Sequence, residues 1–318
     1  MATENIDMSF WTGRTDPEAN SERWHQRIRP IDQADDKGVA LLGFASDAGV
    51  KRNQGRVGAA KGPEAIRRAL APLAWHRQGP AFDAGDVVCQ GDALEEAQQR
   101  LGERVAGLLD DGHFPVVLGG GHEIAFGSWQ GLARHVEAQG SKHDWPPRIG
   151  IVNLDAHFDL RDPRHVRSSG TPFSQIAEQC EQRGWPFRYA CLGVSRASNT
   201  RNLFQRAEDL QVLVREDREF IAVHLESITR DLERFVTRCE HIYLTIDLDV
   251  LPASEAPGVS APAARGVSLS QLEPLIDLIR DSGKLRLADI AELNPDFDID
   301  NRTAKVAARL VHQLTLNG

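Results

Sequence analysis

The sequence is poor in cysteine, in long apolar runs and in positive charge, and each deficit excludes a class of function. Its four cysteines are scattered without a CxxC pair, which is typical of reduced thiols in a cytoplasmic protein. No apolar run approaches the roughly 18 residues that would span a membrane. The net charge of −9 argues against a nucleic-acid partner and against binding to an anionic membrane.

The beginning of the chain also lacks the pattern of a signal peptide. Residues 1–7 contain neither a basic nor an apolar region, so we expect no secretory signal. Residues 1–36 are polar and rich in Trp, Arg and Asp, which predicts a loosely packed N-terminal arm. No repeat or linker divides the rest, so we predict a single domain over residues 37–318.

Within that domain, apolar runs alternate with helix-like stretches. Eight predicted strands lie near 38–44, 84–88, 114–118, 149–154, 188–194, 210–214, 241–247 and 285–290. Predicted helices lie near 64–75, 93–110, 123–138, 173–183, 221–238, 269–281 and 302–315. This alternation predicts an α/β protein with a mostly parallel sheet covered on both faces. Ligands of such sheets bind beyond the carboxyl ends of the strands.

The most informative stretch follows the predicted strand 149–154. Asp155, His157 and Asp159 occupy alternate positions, and in an extended chain alternate side chains point the same way. Burying two carboxylates and an imidazole together is costly without a partner. A surface loop with chance charges is the alternative, but the apolar strand before it makes a metal ion the better explanation.

Three further strand ends carry polar residues. His122 follows three glycines, which let the backbone turn tightly; they do not form a dinucleotide-binding loop, because Ile124 stands where that fingerprint needs glycine. Asp247 and Asp249 follow another strand, although Asp-x-Asp also occurs in phosphate enzymes and calcium loops. Glu292 follows the last strand. Singly, His122 is equally consistent with a helix start, and Glu292 with a solvated loop.

Together these strand ends supply two histidines, four aspartates and one glutamate. That set is sufficient for two divalent ions, and its oxygen-rich character favours Mn²⁺ over a zinc–thiolate or copper site. Two ions about 3.5–4 Å apart make a strong nucleophile from water at neutral pH. The sequence therefore predicts a two-metal hydrolytic site.

These motifs resemble a known family. GGGH (119–122), DAHFD (155–159), TIDLDV (245–250) and ELNP (292–295) occur in this order in the ureohydrolases, which include arginase, agmatinase and formimidoylglutamase. Segments 49–70 and 258–262 are similar too, so the resemblance covers nearly the whole chain from about residue 38. It implies a three-layer αβα sandwich with an eight-stranded, mostly parallel sheet, a homo-oligomer, and two Mn²⁺ ions per subunit.

The resemblance also implies roles for the site residues. Asp155 and Asp247 would bridge both ions, His122 and Asp159 would complete one, and His157 and Asp249 the other. Glu292 would hold the cationic head of the substrate. Asp159 would also relay a proton.

Two departures point to one branch of the family. Arg161 stands where the arginase branch has asparagine, and Ser169 where the arginase and agmatinase branches have a proton-shuttle histidine. Both resemble the formimidoylglutamase branch, whose substrate, N-formimidoyl-L-glutamate, has two carboxylates. Arg161 and Arg196 would each bind one of them, and Ser169 and Asn199 would also contact substrate. Arg196 is equally consistent with a solvated loop arginine; Arg56 and Arg201 are weaker candidates.

Three other interpretations stay open at this point. A guanidino-acid hydrolase that releases urea would also use an arginine for its substrate's carboxylate. A non-catalytic protein of this fold, stabilised by metal, is possible in principle, but pseudo-enzymes usually lose a ligand and this set is complete. A deacetylase-like enzyme with one zinc ion would leave the second acidic pair unexplained.

Overall fold

Apolar runs form the strands, because a parallel sheet covered on both faces has no solvent-facing side. The computed structural model describes residues 6–140 and 146–316, so the first five residues of the predicted arm and the last two of the predicted domain lie outside the described residues. Nine strands are present in the described ranges. They are β1 (Arg29–Pro30), β2 (Val39–Ala45), β3 (Ala81–Val88), β4 (Phe114–Gly119), β5 (Ile149–Leu154), β6 (Arg188–Val194), β7 (Leu213–Glu216), β8 (His241–Asp247) and β9 (Leu285–Ala291).

The order of the strands brings distant parts of the chain together. The sheet runs β1-β3-β2-β4-β9-β8-β5-β6-β7, and all neighbouring strands are parallel. β4, β9, β8 and β5 are consecutive at its centre. Their ends are in register: Ile290 pairs with Leu118 and with Ile246, and Ile246 pairs with Leu154. The loops that follow these four strands therefore leave the sheet at one edge.

Helices cover both faces of the sheet, which confirms the three-layer αβα fold. They are α1 (Trp24–Arg27), α2 (Ala48–Arg52), α3 (Gly62–Leu70), α4 (Leu94–Asp110), α5 (Ile124–Gln139), α6 (Pro172–Arg183), α7 (Arg201–Asp209), α8 (Ala222–Thr237), α9 (Leu269–Asp281) and α10 (Arg302–Leu314). Helices α3, α8, α9 and α10 pack on one face, and α4 to α7 on the other. None of the described helices has the length and apolarity needed to cross a membrane.

The sheet has nine strands rather than eight, and the extra one comes from the predicted arm. β1 pairs with β3 through Arg29 and Phe82. Trp11 and Trp24 are buried, and the Trp11 indole N–H donates to Asp83 Oδ2 at 2.7 Å. The prediction of loose packing is therefore wrong for this part of the arm, because two buried tryptophans anchor it despite its polar composition.

The domain also contains two helices that the sequence did not predict, the short α2 and α7. Helix α7 was not predicted, because its polar sequence buries only Leu203 and Ala207. The strand expected over 210–214 begins at Leu213 instead.

Candidate metal centre

Charged side chains from four loops meet at the carboxyl edge of the sheet. His122 follows β4, Asp155 follows β5, Asp247 ends β8 and Glu292 follows β9. All four are buried. The topology thus explains why residues far apart in sequence form one site.

A glycine makes the first of these loops possible. A Cβ atom at Gly120 would lie 1.9 Å from the carbonyl oxygen of Ser46, so no other residue fits there. The Gly120 carbonyl accepts from the Glu292 backbone N–H at 2.8 Å. The loop can therefore turn against the end of β2 and present His122 beside Glu292, as the glycine run predicted.

The first candidate ion position lies beside Nδ1 of the His122 ring. Its Nδ1 atom lies 3.1 Å from Asp155 Oδ2, 2.9 Å from Asp159 Oδ2 and 3.1 Å from Asp247 Oδ2. One ring nitrogen cannot satisfy three carboxylates, and this buried atom makes no well-aligned hydrogen bond. These four atoms have the arrangement of ligands around a shared cation.

The second candidate position is built around His157. Its Nδ1 atom lies 3.0 Å from Asp249 Oδ2 and 3.5 Å from Asp155 Oδ1. Asp155 directs one carboxylate oxygen to each position, which is the geometry of a bridging ligand. Asp247 directs its Oδ2 atom to the first group, and its Oδ1 atom accepts from the Asp249 backbone N–H at 2.8 Å.

These side chains converge through turns, not through strand alternation. β5 ends at Leu154, and the carboxylate of Asp155 accepts from the His157 backbone N–H at 2.6 Å. The backbone of Asp159 lies in the left-handed region, with φ of 48°. The expectation that an extended chain aligns positions 155, 157 and 159 was therefore wrong: an aspartate turn sets the spacing.

Electrostatics favour a cation at both positions. Burial raises the pKa of Asp247 well above its usual range, and the charges of Asp249 and Asp155 raise it further. Burial also raises the pKa of Asp159, with a further contribution from Asp155. Divalent ions would remove this repulsion. Two imidazoles and four carboxylates are donors that suit Mn²⁺, so the residues present fit the predicted pair of ions.

A second hydrogen-bonding layer orients the first histidine. His122 Nε2 lies 3.0 Å from Thr245 Oγ1. Burial raises the pKa of the neighbouring Asp289, and hydrogen bonds from Thr245 and Tyr243 lower it. If Nε2 carries the proton and donates to Thr245, the Nδ1 lone pair faces the carboxylates. In that tautomer, Thr245 would support the ring orientation that metal binding needs.

Replacing Thr245 with valine keeps the shape of the side chain but removes this hydrogen bond. We expect Mn²⁺ affinity to weaken by about 10-fold or more, the usual effect of losing such a support. Competition with a fluorescent Mn²⁺ indicator measures it. Thr229→Val is the matched control, since that hydroxyl donates to the Leu225 carbonyl within α8, away from the candidate ligands. Equal affinity in both variants would contradict the role of Thr245.

Glu292 differs from the aspartates because one of its oxygens is uncommitted. Oε1 accepts from the His122 backbone N–H at 2.9 Å, whereas the buried Oε2 has no hydrogen-bond partner in the part of the chain that the structure describes. Burial, and then the charge of Glu123, raise the pKa of Glu292 to about 8. A cationic group bound at Oε2 would favour the ionised carboxylate.

A cavity of about 310 Å³ opens above these side chains, and it contains most of the predicted site residues. Arg161 and Ser169 line it, and the structure gives Arg161 no carboxylate partner among the described residues. Lining residues include Asn53, Gln54, Gly55, Arg56, His122, His157, Asp159, Arg161, Ser169, Asn199, Asp247, Asp249, Ser260 and Glu292.

The prediction that Arg196 binds substrate needs correction, because Arg196 does not line the cavity. Its guanidinium forms an ion pair with Glu216, with Nε 3.0 Å from Oε2, and lies 4.4 Å from the centre of the Phe204 ring. Its side chain is 58% exposed. A carboxylate of this protein already satisfies the charge that Arg196 was expected to offer to substrate.

Asn199 lies in the cavity wall, but its amide is already used. Its Nδ2 donates to the Ala156 and Ser195 carbonyls at 2.9 and 2.8 Å, and its Oδ1 accepts from Phe158 N at 3.1 Å. We therefore reassign Asn199 from substrate contact to support of the ligand loop.

The sequence interpretation missed the cavity wall formed by 53–56 and Ser260. The sequence did contain a signal for this wall. A polar, glycine-rich loop follows the first predicted strand, and in a parallel sheet it must leave at the same edge as the loops after the other strands. Arg56 was noted only as a weak candidate. It lines the cavity, donates from Nε to the Ser260 carbonyl at 3.0 Å, and lies 4.1 Å from the Phe297 ring centre.

Comparison with known proteins agrees with the motifs and the fold. The sequence profile described as the Arginase family matches residues 37–316. This chain belongs to the arginase family. The ureohydrolase resemblance is thereby confirmed over residues 37–316.

Close relatives of this arginase-family chain share one name. It is 58% identical over 313 residues to a formimidoylglutamase of Aeromonas hydrophila, covering 97% of this chain and 98% of the relative. Identity to a Ralstonia nicotianae formimidoylglutamase is 57% over 315 residues, covering 98% and 95%. The crystal structure of Trypanosoma cruzi formiminoglutamase with Mn²⁺₂ superposes with a TM-score of 0.77 at 28% identity, covering 89% and 95%.

Proposed function

We propose that this protein is a manganese-dependent hydrolase that converts N-formimidoyl-L-glutamate and water into L-glutamate and formamide, a step of histidine degradation. The observation that carries the proposal is one cavity lined by a buried glutamate, two groups of candidate metal ligands and two arginines without a carboxylate partner among the described residues. Full-length relatives with 57–58% identity and this name support it.

The metal-binding residues divide into two sets. His122, Asp155, Asp159 and Asp247 would hold one Mn²⁺, and Asp155, His157 and Asp249 the other. When bound, two such ions lower the pKa of a water molecule and so supply a nucleophile at neutral pH. We retain the six ligands predicted from the sequence, including Asp155 and Asp247 as bridging residues; one Asp155 oxygen lies near each histidine, which supports the first of these bridges.

Glu292 and Asp159 act on the substrate itself. The free Oε2 of Glu292 accepts hydrogen bonds from the amidinium head and holds its carbon towards the nucleophile. Asp159, which lines the cavity, takes the proton of the attacking water and passes it to the substrate nitrogen that departs. The C–N bond then breaks, the formyl carbon leaves as formamide, and the amine remains on glutamate.

Two cavity arginines bind the substrate's carboxylates. Arg161 and Arg56 both line the cavity, and neither forms an ion pair with a carboxylate among the described residues. Arg56 replaces Arg196 in this role: Arg196 is paired with Glu216, whereas the Arg56 guanidinium donates to the neutral Ser260 and Val259 carbonyls, which do not balance its charge. Two guanidinium groups complement a substrate with two carboxylates, whereas agmatine has none. Ser169, buried at the cavity wall, contributes a further polar contact.

A product assay tests the proposed reaction. The Mn²⁺-loaded protein is incubated with N-formimidoyl-L-glutamate, L-arginine, 4-guanidinobutyrate and agmatine, and formamide and urea are quantified. We expect formamide from the first compound and little urea from the others. Faster urea release from guanidinobutyrate would instead identify a guanidino-acid hydrolase. No turnover of any compound by metal-loaded protein would favour a non-catalytic role.

We also propose that the enzyme is a cytoplasmic homo-oligomer. The four cysteines form no disulfide, which is consistent with a reducing compartment. The oligomer is expected from the family resemblance. Light scattering on the purified protein measures its molar mass, and a mass of about 35.1 kDa would contradict an oligomer.

Replacing Arg161 with alanine should weaken substrate binding more than catalysis. We expect KM for N-formimidoyl-L-glutamate to rise about 10- to 100-fold, the usual loss for a charge-assisted contact. Steady-state formamide release measures it. Arg196→Ala is the matched control, because that guanidinium lies outside the cavity and should leave KM unchanged. If Arg196→Ala raised KM more than Arg161→Ala, the substrate carboxylate would instead bind Arg196.

A further inference from the structure

Glu123, the residue after His122, is a fully buried carboxylate that the proposed reaction does not use. Its Oε1 atom accepts from Ser46 Oγ and from the Gly49 backbone N–H, both at 2.9 Å. Both donors belong to the segment that follows β2, more than 70 residues earlier in the chain. The carboxylate therefore joins the loop that carries a metal-binding histidine to a different part of the molecule.

The surroundings of Glu123 are shaped to its carboxylate. A Cβ atom would lie 2.5 Å from Oε2 at Gly49 and 2.1 Å from it at Gly121, so any larger residue at either position would displace the carboxylate. Its own helix does not depend on this side chain, since Glu123 makes no side-chain cap at α5. Its backbone carbonyl is bound separately, by Gln98 Nε2 at 2.7 Å. The carboxylate therefore binds the neighbouring segment and not its own helix.

That segment leads directly to the substrate cavity. Gly49 lies in α2, and the chain continues from α2 into 53–56, which lines the cavity. The far end of 53–56 is fixed by Asn294, whose Nδ2 donates to the Arg56 carbonyl at 2.9 Å. The near end has Glu123 as its anchor. Residues 53–56, which we call the rim segment, are therefore held between two fixed points.

We propose that Glu123 is a positioning residue that sets the rim segment, and with it Arg56, at a fixed distance from the metal centre. The tripeptide Gly121–Glu123 then organises three parts of the site. The His122 ring faces the candidate ligand carboxylates, the His122 backbone N–H binds Glu292, and the Glu123 carboxylate holds the rim. This inference rests on the proposed function where it assigns Arg56 to a substrate carboxylate.

The kinetic test compares a substrate that has carboxylates with one that lacks them. For Glu123→Ala we expect KM for N-formimidoyl-L-glutamate to rise about 10-fold, from loss of a buried hydrogen-bonding anchor. Its kcat should stay within about twofold. N-butylformamidine, which does not need the rim, should show unchanged kinetics, and Mn²⁺ content should be unchanged. Glu123→Gln retains the accepting oxygen and should restore KM.

Hydrogen exchange tests the anchor without using activity. The Gly49 amide and the peptide covering 46–56 should exchange about 10-fold faster in Glu123→Ala than in the parent protein. Faster exchange supports the anchor even if the parent hydrolyses another substrate, so the inference and the proposed function fail separately. Unchanged exchange, or equal kinetic losses on both substrates, would overturn it. If Glu123→Ala does not fold, Ser46→Ala removes one of the two bonds and should shift exchange and KM in the same direction.

Discussion

Replacing Asp155 with alanine is expected to abolish binding of both metal ions and to lower formamide release by at least about 1,000-fold. Asp155 is the residue common to both ligand groups, with one oxygen directed to each. Its loss breaks both coordination sets and removes the nucleophile that the ions would generate. Elemental analysis of dialysed protein gives the metal content, and the product assay gives the rate.

The same substitution should separate metal binding from folding. Mn²⁺ that binds only the folded state raises the melting temperature of the parent protein. The variant should fold but gain no thermal stability when Mn²⁺ is added. Asp162→Ala is the control, since Asp162 pairs with Arg164 and belongs to neither ligand group. An Asp155 variant that retained two ions would refute the bridging assignment.

Replacing Glu292 with glutamine should lower kcat/KM for N-formimidoyl-L-glutamate by about 100-fold or more while leaving Mn²⁺ content intact. A neutral amide cannot balance the amidinium charge in a buried site, and losing one partner of such a pair costs about 2–5 kcal/mol. Glutamine can still accept the His122 backbone N–H, so the loop should keep its position. Formamide release and metal analysis measure the two effects.

The control for this variant comes from the same loop. Asp296→Asn also removes one negative charge, but Asp296 forms a solvent-exposed ion pair with Lys61. Its kinetics should match those of the parent. Loss of metal from the Glu292 variant would mean that Glu292 supports the ions, and retained kcat/KM would mean that it does not hold the amidinium.

The centre of the molecule was predictable from sequence because its signals are local. The core strands are unbroken apolar runs, and the aspartates and histidines stand directly after them. Parallel pairing then fixes where their ends meet. The ligand pattern at 155–159 was therefore identified, even though the alternation argument gave the wrong reason for its convergence.

The errors concern interactions that no local pattern records. Arg196 looked available because Glu216, which pairs with it, lies on the next strand and not beside it in sequence. The arm looked loose because the contact between Trp11 and Asp83 spans 72 positions. Glu123 attracted no notice, since its importance depends on two donors from another loop.

The order of the strands also constrains how the chain can assemble. β9 is the last strand in the sequence, yet it lies between β4 and β8 in the sheet. His122 and Asp247 can face each other only after β9 has inserted between the strands that carry them. A chain whose synthesis has stopped before residue 285 therefore lacks the spacer that sets this distance. The first ion position therefore forms only when the sheet is complete. Binding of an ion there would show that β9 is in place.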